Sequence, residues 1–444
     1  VVLAASLLSF FVISLDGSVV NIALPAIQHS LHGGISSLQW VVDSYILMFA
    51  AMMLSAGALS DRLGASKAYQ IGLTLFTASS VVCGIAPNIG FLIGARVVQG
   101  VAAAVMVPTS LALIRQGFED AAQRAKAIAI WTAAGAIAVA VGPVAGGVLT
   151  EHLTWRSIFF VNLPAGLIGL ALLRRIPCST PRPAPLDLPG QVAVITALAG
   201  LTFAVIENTH LGLTSPAIIA AITLAILGSV SFLLIEAHRR IPMVPLTVLF
   251  SRTMLACSAA GFALNAVFYG VIFLFGLYFQ QIKGESASIS GAMFIPMCGL
   301  IACVNMLSVK VAARFGPRVP MVTGQLIMGS GSLLLLIVAP GSSLLVPLLA
   351  LIPIGIGGGL AVPSLTATLL ESIDPAKAGT AAAVLNTSRQ VGGCLAVAIF
   401  GALIANHATF MTGLRTSLIL GGLALGATAV ATLTVLPRTR TASA

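Results

Sequence analysis

Charge is scarce in this chain. Of its 444 residues only 8% are Asp, Glu, Lys or Arg, with 12 acidic side chains against 22 basic ones. No arrangement of soluble domains could cover the apolar surface left by 58% hydrophobic residues, so the composition excludes a water-soluble protein and predicts a polytopic membrane protein. Aromatics are also few, at 6%, whereas 44 glycines and Ala-rich segments suit closely packed transmembrane helices. Alternating strands of ~10 residues are missing and apolar runs of ~20 residues stand in their place, which excludes a β-barrel. Six cysteines occur without a CxxC pair, five in apolar runs and Cys178 in a loop, so neither a metal site nor a disulfide framework is indicated. The six histidines lie mostly at span ends without ligand spacing. No nucleotide-binding loop is present, because Gly355-Ile-Gly-Gly-Gly359 lies inside an apolar span, and a membrane-embedded enzyme lacks support. No cleavable signal peptide is expected, and the start at Val1 suggests a missing polar N-terminal tail.

Fourteen apolar segments fall at roughly 2–28, 38–60, 68–86, 89–115, 125–149, 156–174, 190–208, 215–236, 253–279, 288–311, 319–338, 343–370, 377–405 and 413–436. An even number puts both termini on one side. If that side is the cytoplasm, seventeen of the 22 Lys and Arg lie in inside loops, among them Arg62, Lys67, Arg182, Arg240, Arg438 and Arg440. Three, Arg156, Lys283 and Arg415, lie outside, and Arg96 and Arg389 fall within spans. The net charge of +10 is therefore a positive-inside signal rather than a nucleic-acid one, and cytoplasmic termini follow.

An offset of 252 to 255 residues pairs Arg62-Leu-Gly64 with Arg314-Phe-Gly316, Val107-Pro108 with Val362-Pro363, and Gly146 with Gly401. This internal repeat predicts an N-terminal six-helix bundle over 1–176 and a C-terminal one over 247–444. Residues 177–246, opening on the proline-rich stretch Pro177–Pro189, supply a cytoplasmic linker and two inserted helices.

Asp16 stands in the middle of the first span, where a carboxylate costs about 2.5–3.5 kcal/mol on insertion scales. It is the first candidate for a proton or cation site. Arg96 lies within the fourth span and needs a carboxylate, a carbonyl or water. At ~1.5 Å per residue, Arg96 and Asp43 each sit roughly 10 Å from the outer ends of their helices, with Asp16 somewhat deeper. Arg96 is thus in range of either acid, as a regulator of proton release or as a static structural pair. The fifth span carries Gly142-Pro143 and small residues Ala138, Gly142, Gly146 and Gly147, a smooth face for a neighbouring helix.

These segments carry a family resemblance over essentially the whole chain. Gly57-Ala-Leu-Ser-Asp61-Arg62-Leu-Gly64-Ala-Ser-Lys67 resembles motif A of the major facilitator superfamily, with the usual basic pair reduced to Lys67. Leu92-Ile-Gly-Ala-Arg96-Val-Val-Gln99-Gly100 resembles its motif B, and the Gly135 to Gly147 stretch resembles the antiporter motif C. Leu15-Asp16-Gly-Ser-Val-Val-Asn21-Ile-Ala-Leu-Pro25 is similar to the motif that opens the fourteen-helix drug:proton antiporters, supported by Trp40-Val-Val-Asp43-Ser-Tyr45 and Trp155 to Pro164. The connection from Asn406 to Gly413 is short where some members carry a longer external hairpin.

The resemblance implies an all-α polytopic membrane protein with the major facilitator fold, 14 transmembrane helices, and no enzymatic activity. It implies a proton-coupled antiporter in the cell membrane that exports lipophilic, often cationic drugs or antibiotics, needs no cofactor beyond the proton gradient, and works as a monomer. The competing readings are a dedicated exporter of one metabolite or self-made antibiotic, and a non-transporting receptor. Asp16, Asp43 and Arg96 are expected to handle protons, since their repeat counterparts are Phe268, Ile295 and Leu351. Phe262, Asn265, Phe268, Tyr269 and Asn305 are expected to wall the cavity from the C-terminal half, with Asn21 and Trp131 opposite; the aromatics serve equally as lipid-facing filler. For gating, Asp61 is expected against a helix N-terminus and Arg62 against Glu119 or Asp120. Arg389 is expected against Glu371 or Asp374 as a cytoplasmic gate, with contact to an anionic substrate as the alternative, and Glu207 marks the membrane interface.

Overall fold

The fold is described from a computed structural model, for residues 1–181, 186–239, 242–374 and 377–436. Arg182, Arg240, Arg438 and Arg440 of the positive-inside set lie outside the described residues. Every regular element among the described residues is helical. The first six are α1 (Val2–Leu31), α2 (Ile35–Leu63), α3 (Ala65–Gly84), α4 (Ile89–Gly117), α5 (Ala121–His152) and α6 (Ser157–Leu173, broken at Val161). Next come α7 (Leu188–Leu211) and α8 (Pro216–His238). The last six are α9 (Arg252–Ile282), α10 (Ala287–Phe315), α11 (Arg318–Ile337), α12 (Leu345–Glu371), α13 (Ala378–Leu403) and α14 (Phe410–Val435).

Each of the fourteen predicted segments holds a helix, yet among the described residues only 12 helices are long and apolar enough to cross a membrane. The other two are α3 and α6. Ser66, Lys67, Gln70, Thr74, Thr77, Ser79 and Ser80 lower the apolarity of α3, and α6 breaks just before Asn162-Leu-Pro164.

Local chemistry sets the ends. Asn88, Asp120, Asp187, Ser215, Ser251 and Ser286 each accept a hydrogen bond from a first-turn amide and so cap α4, α5, α7, α8, α9 and α10. The α2–α3 and α10–α11 joints turn on Gly64 (φ 80°) and Gly316 (φ 81°), positions related by the sequence repeat and open to glycine because it lacks a β-carbon.

Packing sorts the helices. α1 lies on α5, α2 and α3 lie on α4, and α3 also meets α6; in the second half α9 lies on α13, and α12 on α10 and α11. α7 and α8 pair with each other, and α7 rests on α2 and α13. An Asp187–Arg239 ion pair and a hydrogen bond from Val244 N to Glu236 (3.0 Å) tie the base of this inserted pair.

The two ends of the bundle can be told apart by the junctions they carry, α1–α2 at one and α2–α3 at the other. Among the described residues, hydrogen bonds between 1–176 and 247–436 fall at the α1–α2 end or at mid-depth. Gln39 donates to Val397 O and Ala398 O, Gln280 to Ile22 O, Gln281 to Gln28, and Ser288 N to Glu151. The mid-depth bond joins Thr387 to Ala50 O. The halves are closed on each other at the α1–α2 end.

Candidate functional site

Four helices converge on Asp16. The carboxylate is fully buried, and Arg96 from α4 pairs with its Oδ2 through Nη1. Oδ1 accepts from Gln99 Nε2 at 2.9 Å and from Asn162 Nδ2 at 3.0 Å. Gln99 lies one turn beyond Arg96 on the same face of α4, and Asn162 opens the second piece of α6. Asn162 also donates to Ser80 Oγ of α3 at 3.0 Å. Arg96 also donates to Val41 O (3.1 Å) through Nε and to Gln99 Oε1 (2.8 Å) through Nη1, and its guanidinium lies 4.2 Å from the centre of the Tyr45 ring.

This resolves which acid Arg96 takes: Asp16, not Asp43. Burying two charges is tolerable here because each oxygen and most guanidinium donors are satisfied. Partial exposure at Leu7, Phe10, Ser14 and Gly17, at three- and four-residue spacing along α1, marks the face beside Asp16 that is not packed away. Phe10 stacks on Trp131 of α5 at 3.8 Å, and Trp131 Nε1 and Asn21 Oδ1 are buried without a hydrogen-bond partner.

Asp43 is fully buried, and neither of its oxygens has a hydrogen bond of ordinary geometry. It lies where α2 meets α13 and α7, facing the Cys394 thiol, which in turn touches Thr202 Oγ1 at 3.6 Å.

On the C-terminal side, Arg389 donates to Asn265 at 3.3 Å. The expected pairing of Arg389 with Glu371 or Asp374 is not made: its side chain turns into the α9–α13 contact beside Gly261, while both acids are exposed near the end of α12. Phe268 and Tyr269 meet edge to face with centroids 5.3 Å apart, and Tyr269 covers Gly393. Phe262 is half-buried, with its backbone against Gly392. Asn305, half-buried on α10, shares no hydrogen bond with this group among the described residues.

The motif C face packs on α1. A β-carbon on Gly142 would lie 1.8 Å from Ser18 Oγ, and one on Gly146 would lie 2.5 Å from Val19 O, so only glycine lets α5 come this close. Pro143 and Gly147 face the start of α10, at Gly291 and Ala287.

At the motif A turn the expected ion pair is absent. Asp61, Arg62, Lys67 and Glu119 are exposed, Asp120 is committed to capping α5 through Gln123 N at 2.8 Å, and Gly57 has open space beside it. The turn instead grips the linker: Ser66 and Ser179 exchange hydrogen bonds of 3.2 and 2.9 Å, and Ser179 Oγ donates to Gln116 at 2.6 Å. Glu207 accepts the Trp40 indole N–H at 2.8 Å, tying α7 to α2 rather than merely marking an interface.

Sequence reasoning missed Gln99, Asn162, Ser80, Gln39 and Ser179. An amide one turn from an intramembrane arginine was the available signal for Gln99. Nothing local announced Asn162 as a ligand of Asp16, 146 residues away.

A dozen long apolar helices enclosing a buried carboxylate–guanidinium pair define a multi-pass membrane protein with its charges turned inward. The chain belongs to the Major Facilitator Superfamily, a family of transporters rather than enzymes, whose family model matches residues 6–397. It is similar to the methylenomycin A resistance protein of Streptomyces coelicolor, 33% identical over 94% of this chain and 88% of that protein. The multidrug resistance protein Stp of Mycobacterium tuberculosis is 37% identical over 91% of this chain and 75% of its own length. The puromycin resistance protein pur8 of Streptomyces alboniger is 34% identical, covering 92% and 83%.

Proposed function

We propose that the chain is a proton-coupled antiporter that exports lipophilic, often cationic drugs or antibiotics from the cytoplasm or the inner leaflet. In this reading all fourteen helices cross the cell membrane, α3 and α6 included, in two six-helix bundles with α7 and α8 inserted. Both termini are cytoplasmic, as the basic loops require. The α1–α2 end is then external, and the closed seam there makes this the inward-facing state. The relatives named for methylenomycin, puromycin and multidrug resistance support export of toxic small molecules.

The observation that carries the reading is the Asp16 site, an ionisable group inside the bilayer held by Arg96, Gln99 and Asn162 beside an unpacked face of α1. A proton neutralises Asp16 and releases Arg96; a cationic substrate needs the ionised form. The two therefore exclude each other, and exclusion across two access states is exchange. Phe10 and Trp131 on one side, with Phe262, Phe268 and Tyr269 on the other, offer aromatic faces to a lipophilic cation. The membrane potential adds about 2.3 kcal/mol per charge per 100 mV.

The test is drug accumulation in inverted membrane vesicles energised by respiration. Accumulation that collapses on addition of a protonophore, and that is lost in Asp16→Asn at equal protein level, is the expected result. Accumulation unaffected by either change rejects the proposal.

A further inference from the structure

α2 and α13 come from opposite halves of the chain, and at the α1–α2 end one side chain joins them. Gln39 is buried, and its Nε2 donates to two successive carbonyls, Val397 O at 3.1 Å and Ala398 O at 2.6 Å. Its place is kept free by Gly401, where a β-carbon would lie 2.5 Å from Gln39 Nε2 and 2.6 Å from its Cδ. These contacts are specific to the closed seam, since separating the halves there breaks both bonds at once.

One turn further in, the seam holds Asp43. Gln39 and Asp43 are four residues apart and so share one face of α2, while Cys394 lies one turn inside Val397 and Ala398 on α13. Asp43 is fully buried and has neither a cation nor a hydrogen-bond donor of ordinary geometry. The charged and titratable groups on the elements packed around it are engaged or distant. Arg96 of α4 turns to Val41 O and Asp16, Glu207 of α7 takes the Trp40 indole, Arg389 of α13 takes Asn265, and His210 is exposed at the end of α7. Among the described residues only the Cys394 thiol faces it. An ionised carboxylate in such a place lacks any compensation for lost hydration.

We propose that Gln39 is the latch of the external gate and that it closes only over a protonated Asp43. The inference rests on the antiporter reading of the preceding section. When the external end opens, the two Gln39 bonds break and water reaches Asp43, which ionises. The halves cannot close again until an external proton neutralises it, so the return to the inward-facing state is tied to proton loading. Asp43 thus controls the gate, separately from the exchange at Asp16.

Cys394 is a built-in reporter, 3% exposed and next to Asp43. The experiment replaces the other five cysteines with alanine, reconstitutes the full chain with its external face outward, and measures labelling of Cys394 by a membrane-impermeant maleimide. Rates at pH 6 and pH 8.5 are each normalised to the same protein denatured at that pH. The parent is expected to be protected at pH 6 and labelled about tenfold faster at pH 8.5. Asp43→Asn stays protected at both. Gln39→Ala is labelled at least about tenfold faster than the parent at pH 6, the factor for losing roughly one net hydrogen bond, and Gly401→Ala behaves like it. Gln39→Ala and Gly401→Ala labelling no faster than the parent overturns the latch, and a pH response that survives in Asp43→Asn overturns its dependence on that acid. The labelling reads the gate without drug, so its failure leaves antiport standing, while a failure of antiport shows only in drug-driven proton flux.

Discussion

Removing either member of the Asp16–Arg96 pair alone is expected to cost nearly as much as removing both. Deleting one partner of a buried ion pair typically costs about 3–5 kcal/mol, because the other charge is left without its counter-ion. The surviving contacts place both single variants at the lower end of that range. Arg96→Gln leaves Asp16 with Gln99 at 2.9 Å and Asn162 at 3.0 Å. Asp16→Asn leaves Arg96 with Val41 O at 3.1 Å, Gln99 Oε1 at 2.8 Å and the Tyr45 ring. Each single change should therefore cost about 3 kcal/mol, and the double variant, with no stranded charge, about the same rather than twice as much. The coupling energy from the double-mutant cycle is then about 2–3 kcal/mol. Unfolding the four proteins by denaturant titration in mixed micelles measures it. Costs that add to within about 0.5 kcal/mol would refute a tightly coupled buried pair.

Three further outcomes follow from the contacts. Gly142→Leu forces a side chain into Ser18 and should destabilise the α1–α5 contact by about 1–3 kcal/mol while abolishing export; a folded, active variant would show that α5 need not approach α1 so closely. Gly64→Ala meets both a positive φ and Ser179 O, and should free the linker, read as faster proteolysis near Cys178 than in the parent; an unchanged rate contradicts the clasp. Of the 3 tryptophans, Trp131 is the one stacked beside the face of α1 next to Asp16, so drug should quench its emission and Trp131→Phe should remove most of the quench; retention of the full signal would move the drug elsewhere.

The parts of this architecture that the chain announces in advance are those with a large local cost. A carboxylate at Asp16 and a guanidinium at Arg96 stand out because the surrounding spans are otherwise apolar, and glycines at Gly142 and Gly146 stand out by their spacing. Partner choice was not legible. Asp16 and Asp43 lie at compatible depths for Arg96, and only the rotation of α2 and α4 about their axes decides between them. Gln99 and Asn162 are neutral and carry too small an insertion penalty to draw notice. Charge and position along the chain point Arg62 and Arg389 to carboxylate partners, whereas the structure gives the motif A turn to Ser179 and Arg389 to Asn265. Helix existence was readable at all fourteen segments, but α3 and α6 fall short of an autonomous membrane span because polar residues and the break at Val161 are offset only by tertiary packing against α4 and α1.

In the proposed cycle drug and proton compete for Asp16. This competition is tested most directly by proton flux in liposomes carrying the purified protein and an internal pH dye, with a lipophilic cation added under an imposed pH gradient. Cation-triggered proton movement is expected in the parent and none in Asp16→Asn. Equal flux in the two proteins would contradict the competition.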